Sequence, residues 1–129
     1  MNQYILEVRK AIESTYDREC DVIEYQAVIN QKNKRTENKE VVVLEKKPCR
    51  VSYETISNSN ETEMQNNTSQ KIKLFIAPEI VIKEGSKIVV RKNNSIETFK
   101  NSGIPARYDT HQEIILENFK GWAWYGKMG

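Results

Sequence analysis

Across residues 71–90, KIKLFIAPEIVIKEGSKIVV, apolar and polar side chains alternate in two successive runs. Ile72, Leu74 and Ile76 fall on one side, with Lys73 and Phe75 on the other. Ile80 and Ile82 then share a side, and after Glu84-Gly85 the alternation resumes at Ile88 and Val90. A period of two, punctuated at Pro78 and Gly85, predicts a strand, a turn and a second strand. Upstream the period changes. Ile5, Val8, Ile12 and Tyr16 recur at helical spacing, with Glu7, Arg9, Lys10 and Glu13 opposite, which predicts a helix over residues 2–17 with Asn2 as its cap.

Between these lie three further β signals. Residues 21–29 place Ile23, Tyr25, Ala27 and Ile29 on one face. Residues 30–39, NQKNKRTENK, form a polar turn leading to Val41, Val42, Val43 and Leu44, a β-branched run expected to be buried on both sides until Pro48 interrupts it. Alternation then returns with Cys49, Val51 and Tyr53 against Arg50, Ser52 and Glu54. The segment 55–70, TISNSNETEMQNNTSQ, has no Gly, Pro or cation and only Ile56 and Met64 as apolar anchors. A structureless loop of that length is uncommon in a compact domain and is usually functional or disordered. Asn93-Asn94 marks a turn, Ile96, Thr98 and Phe99 continue a strand, and Ile114 and Leu116 oppose Ile115 in the last one.

The reading is therefore a single mainly β domain over residues 1–129 with an N-terminal helix. It is a small antiparallel β-barrel or sandwich over 20–120, with a long polar loop inserted at 55–70 and an aromatic tail at 121–129. A chain of 129 residues fits one domain. An apolar fraction of 38% against 29% charged side chains leaves a modest core, which suits a subunit that completes its burial on a partner. The tail holds both tryptophans, Trp122 and Trp124, beside Tyr125. Such rings are costly to leave in water, so they fold back on their own domain or dock on a neighbour.

Charge adds a qualification. The net charge of +2 is too small to argue for nucleic acid on its own, yet residues 31–50 and 71–100 each hold seven basic and three acidic side chains. These are either solvated strand faces and edge protection or a binding face. No apolar run approaches the roughly 20 residues that span a bilayer, and the N-terminal residues do not resemble a signal peptide, so no membrane association and a cytoplasmic site of synthesis are expected. Cys20 and Cys49 are too far apart for a CxxC motif and are expected as free thiols.

Candidate chemistry is sparse. His111, flanked by Asp109 and Glu113, is the only histidine, and no Ser or Cys nucleophile has a recognisable local setting. Neither GxxxxGK[ST] nor GxGxxG occurs. No catalytic, cofactor-binding or metal-binding residue is assigned, no cofactor is expected, and the protein is read as a non-enzyme.

Several segments taken together resemble the small head-completion proteins of tailed phages and prophages, the head-closure or head–tail connector class. They are Tyr16-Asp17-Arg18-Glu19-Cys20 after the helix, the Val-rich arm running into Pro48-Cys49-Arg50-Val51-Ser52, Lys73-Leu74-Phe75-Ile76-Ala77-Pro78 with Gly85-Ser86-Lys87-Ile88, and His111-Gln112-Glu113 through Gly121-Trp122-Ala123. The resemblance implies a structural ring subunit, a hexamer or dodecamer, in the virion neck. Its neighbours would be portal or adaptor protein on one side and tail-terminator or tail-tube proteins on the other, around DNA passing without sequence specificity. It places Asn58, Asn60, Glu61, Glu63, Met64, Asn66 and Asn67 in a loop facing the DNA channel. Composition, not resemblance, offers Ile5, Val8, Ile12, Trp122, Trp124 and Tyr125 as contacts between subunits. The alternatives are a neck adaptor, a tail-terminator ring, a single-strand nucleic-acid-binding barrel using the two basic segments, and a small hydrolase using His111.

Overall fold

A computed structural model describes residues 2–57 and 68–122. Its elements are α1 (Gln3–Glu13), β1 (Arg18–Ile29), β2 (Thr36–Ser57), β3 (Thr68–Ile76), β4 (Lys87–Lys92), β5 (Ser95–Asn101), β6 (Ala106–Arg107) and β7 (Gln112–Asn118). All strand pairings are antiparallel, in the order β3-β2-β1-β4-β5-β7-β6, and β3 also pairs with β7. The sheet thus returns on itself as a ring, with β6 attached at its side. Mainly antiparallel β with one N-terminal helix is the class that the alternation predicted.

The ring encloses one apolar cluster that includes Val22, Leu74, Ile76, Ile88, Phe99 and Ile114. Alternation explains its membership. In β3, Ile72, Leu74 and Ile76 are buried, and in β7 Ile114 and Leu116 are. Cys20 and Cys49 sit in the same cluster as free, buried thiols. The Cys49 sulfur beside it, reinforced by burial, pushes the Cys20 thiol far up, so it stays protonated and unreactive.

α1 begins as expected, with Asn2 Oδ1 accepting the Ile5 N–H at 2.8 Å. It ends at Glu13 and does not reach residue 17. The Ser14 and Thr15 hydroxyls, at 2.6 Å each, donate to the Ala11 and Ile12 carbonyls, and these local bonds compete with another helical turn.

Five other expectations are corrected, the last of them at Pro48. First, residues 71–90 do not form a hairpin: β3 pairs with β2 and β7, whereas β4 pairs with β1 and β5. Residues 77–86 connect them without a strand, although Ile82 is buried and Ile80 packs on the core. Two buried amides take the carbonyls of this connection. Gln112 Nε2 donates to Ala77 O at 2.8 Å and to Ile80 O at 2.6 Å, and Asn101 Nδ2 donates to Ile82 O and Lys83 O at 3.0 and 3.2 Å. Side chains therefore satisfy backbone groups that strand pairing would otherwise satisfy.

Second, the core face of β1 is the other one, carrying Cys20 and Val22; Ile23, Tyr25, Ala27 and Ile29 lie off it. Third, the valine run is not buried: Val42 is 50% and Val43 37% exposed. β4 leaves β1 at Ile23 and β3 joins β2 only from Cys49, so among the described residues the intervening β1–β2 ribbon pairs with no third strand. Fourth, the strands reach into the polar segment, with Thr55 opposite Gln70 and Ser57 opposite Thr68, leaving 58–67 as the connection.

Pro48 does not break β2, which runs through it for 22 residues. It pairs with Glu19 of β1 and lies just before the β3 ladder, which starts at Cys49. The irregularity in β2 is instead a bulge where Lys46 takes φ 53° and the register against β1 shifts. Asp21 clamps it, accepting the Lys46 N–H at 2.9 Å while Arg91 forks onto both carboxylate oxygens at 2.8 and 2.9 Å. The Arg91 guanidinium holds this carboxyl below its ordinary range. A depressed folded-state pKa gives stability that is complete above the unfolded value near 3.9 and lost as pH falls through the folded one. Asp21→Asn should therefore cost about 1 kcal/mol near pH 7, discounted for solvent screening, and the difference from wild type should vanish in acid. Urea unfolding at pH 7 and pH 3 checks this; an equal loss at both would contradict the charge argument.

Candidate interaction surface

The residues singled out from sequence fall into three groups. Asn58, Asn60, Glu61, Glu63, Met64, Asn66 and Asn67, together with Trp124 and Tyr125, lie outside the described residues. Ile5, Val8 and Ile12 lie on one side of α1, half-buried, and α1 buries no side chain. Its anchor is polar: Arg9 forks onto the Glu79 carboxylate, one bond at 3.0 Å, and pairs with Glu13 at 2.8 Å. Both carboxylates stabilise the guanidinium charge.

Trp122 occupies a different place. Gly121, at φ 94°, turns the chain so that the indole stacks on Tyr25 at 5.0 Å and meets Phe119 edge-on at 5.1 Å. Its Nε1–H donates to Glu40 at 3.1 Å, beside the Lys87 ammonium at 3.0 Å from the same oxygen. Lys87 followed by Trp122 holds the Glu40 carboxyl below its ordinary range. The aromatic tail thus starts by folding onto its own sheet. Alongside is a cleft of about 660 Å³, bordered by residues 24–27 of β1, the 83–86 turn, Lys100 and Trp122.

The two basic segments prove electrostatically unlike. In 71–100, Lys73 pairs with Glu113, Lys83 with Glu24, Lys87 with Glu40, Arg91 with Asp21 and Lys92 with Asp17. In 31–50, no cation makes an ion pair among the described residues, and Arg50 lies over the Phe75 ring at 4.2 Å. Sequence counts gave both the same balance; cross-strand partners, invisible in the counts, distinguish them.

His111 is packed between Phe75 and Tyr108, with ring centroids at 5.8 and 4.8 Å, and its Nε2 is 3.2 Å from Glu113. Burial opposes ionisation of Glu113, but hydrogen bonds from His111 and Lys73 outweigh it and keep the carboxyl below its ordinary range. Among the described residues no group of three or more His, Cys, Asp or Glu side chains is placed to hold a metal, and no helix is long and apolar enough to cross a membrane.

No protein-family model matches the chain. No curated protein matches it either. Among solved structures, the chain is similar to the phage-like element PBSX protein xkdH from Bacillus subtilis, with a TM-score of 0.49 and 10% identity, over 78% of this chain and 93% of that one.

Proposed function

We propose that this protein is a structural ring subunit of a phage or prophage neck, of the head-closure or head–tail connector class, with no catalytic role. The resemblance stated for its sequence segments suggests the class. The observation that carries a subunit role is α1: its apolar stripe, Ile5, Val8 and Ile12, is only half-buried, and no residue of the helix is fully buried. Helices gain most of their stability from packing an amphipathic face, and a half-covered stripe held by one arginine is suited to completion by a neighbour. A contact using different patches on two copies closes into a ring when the rotation permits. In this reading DNA passes through the ring, residues 58–67 line the passage, and portal-side and tail-side proteins bind its two ends.

The test is assembly. Wild-type protein should sediment as a discrete oligomer and show rings in negative stain. The Ile5→Glu, Val8→Glu double variant should fold with little change in melting temperature yet associate about 100-fold more weakly, because two apolar contacts are lost and two charges desolvated. A monomer at all concentrations for the wild type, or unaltered association of the variant, would reject the helix as the interface.

A further inference from the structure

We infer that the β1–β2 ribbon is a nucleic-acid-binding arm that grips the phosphate backbone and reads no bases. This does not rest on the ring reading.

Shape is the first argument. Beyond Ile23, where β4 departs, β1 continues for six residues paired with β2, from Glu24 opposite Val41 to Ile29 opposite Thr36. At roughly 3.4 Å per residue this stretch is about 20 Å long; Trp122 on Tyr25 and Lys83 on Glu24 hold its base, and residues 31–36 at its tip are exposed. A ribbon of two strands has the width that the major groove of duplex DNA admits.

The tip is built to hold its shape. Asn30 N–H donates to Arg35 O and Lys34 N–H to Asn30 O, both at 2.8 Å. Asn30 Oδ1 accepts the Lys32 N–H at 2.8 Å, Asn33 Oδ1 accepts the Arg35 N–H at 2.9 Å, and Lys34 takes the left-handed φ of 61°. The backbone is ordered before any ligand arrives, which reduces the entropy lost on binding.

Charge is the decisive argument. Residues 30–47 contain six cations, Lys32, Lys34, Arg35, Lys39, Lys46 and Lys47, and three carboxylates. The excess exceeds the net charge of the whole chain, +2. Of the carboxylates, Glu40 is engaged by Lys87 and Trp122 and Glu37 by the Asn30 amide at 3.2 Å. At the tip Lys32, Lys34 and Arg35 are exposed, and residues 30–36 hold no acid. The three cations fall within four consecutive positions of one tight turn, so an approaching ligand meets their combined field.

The chemistry favours phosphate over an acidic protein segment. Gln31, Asn33 and Thr36 interleave neutral hydrogen-bonding groups with the cations, the mixture that contacts phosphate oxygens, and a ribbon supplies the groove fit. No aromatic occurs in residues 30–40, so there is no platform on which to stack unpaired bases.

The test measures anisotropy of a fluorescent 30-base-pair duplex of mixed sequence. Three phosphate contacts predict that affinity falls about 40-fold between 50 and 200 mM salt, similarly for unrelated sequences. The triple variant Lys32→Gln, Lys34→Gln, Arg35→Gln should bind at least about 10-fold more weakly at 50 mM salt, with a salt slope shallower by about 3 and an unchanged melting temperature. The control triple Lys71→Gln, Lys100→Gln, Lys120→Gln should bind as wild type does. The inference is overturned if the duplex does not bind at 50 mM salt, if the tip variant binds as wild type, or if the control loses as much as the tip variant. Competition by poly-glutamate as strong, charge for charge, as by unlabelled duplex would overturn it in favour of an acidic protein partner.

Discussion

Phe99→Ala should lower the unfolding free energy by about 4 kcal/mol, the largest loss expected from any single change described here. Phe99 is 2% exposed, and it is the only aromatic side chain in the buried cluster among the described residues. It pairs with Ile88 across β5–β4 and with Asn118 across β5–β7, so its ring lies where two ladders of the closed sheet meet. A closed sheet collapses poorly, because each strand is held on both sides, and most of the vacated volume should persist as a cavity. Phe99→Leu, which keeps most of the volume, should cost less than half as much. Urea unfolding of the three proteins gives the comparison; a cost below about 1.5 kcal/mol for alanine would mean that the interior is far looser than its burial indicates.

Asn101→Ala should cost about 3 kcal/mol and lower the melting temperature by about 10 °C. The buried amide joins three backbone groups: it donates to Ile82 O and Lys83 O and accepts the Gly103 N–H at 3.0 Å. Alanine leaves all three without that partner, and the desolvation penalty of stranded polar groups exceeds the net gain of the bonds themselves. The damage should be local. The 77–86 connection lacks strand pairing, so amide hydrogen exchange should accelerate there while β2 and β3 remain protected. Gln112, fully buried with its amide on Ala77 O and Ile80 O, pins the other end of the same connection. Uniform acceleration across the sheet, or no loss of stability, would contradict this account.

These two residues also mark where sequence reasoning stopped. Alternation at Ile72, Leu74 and Ile76, and at Ile114 and Leu116, identified core faces because period two is a property of one strand and needs no partner. The same alternation at Ile80 and Ile82 correctly signalled burial but not a strand, since Asn101 and Gln112 arrive from β5 and β7, about 20 and 30 residues away. The valine run shows the converse: β-branched residues predicted a strand, which exists, but burial requires packing from outside the strand, and among the described residues Val42 and Val43 stay exposed. Among the candidate interface residues, the stripe of Ile5, Val8 and Ile12 was legible in the spacing alone, whereas the Trp122 seat on Tyr25 required a turn at Gly121 and a contact across nearly 100 residues.

What the amino-acid order determined by itself was local: the cap at Asn2, the helical stripe, the period of each strand, the turn at Asn93-Asn94 and the abundance of charge. Each follows from neighbours within a few residues, where backbone geometry decides. Only the tertiary structure decided which strands pair, how the sheet closes through β3 and β7, and which cations keep their charge unopposed. Two segments with the same count of basic and acidic side chains became different surfaces because folding brought carboxylates to Lys73, Lys87 and Arg91 and left Lys32, Lys34 and Arg35 at the exposed tip of the ribbon. Coulombic pairing depends on distance in space, which separation along the chain does not specify.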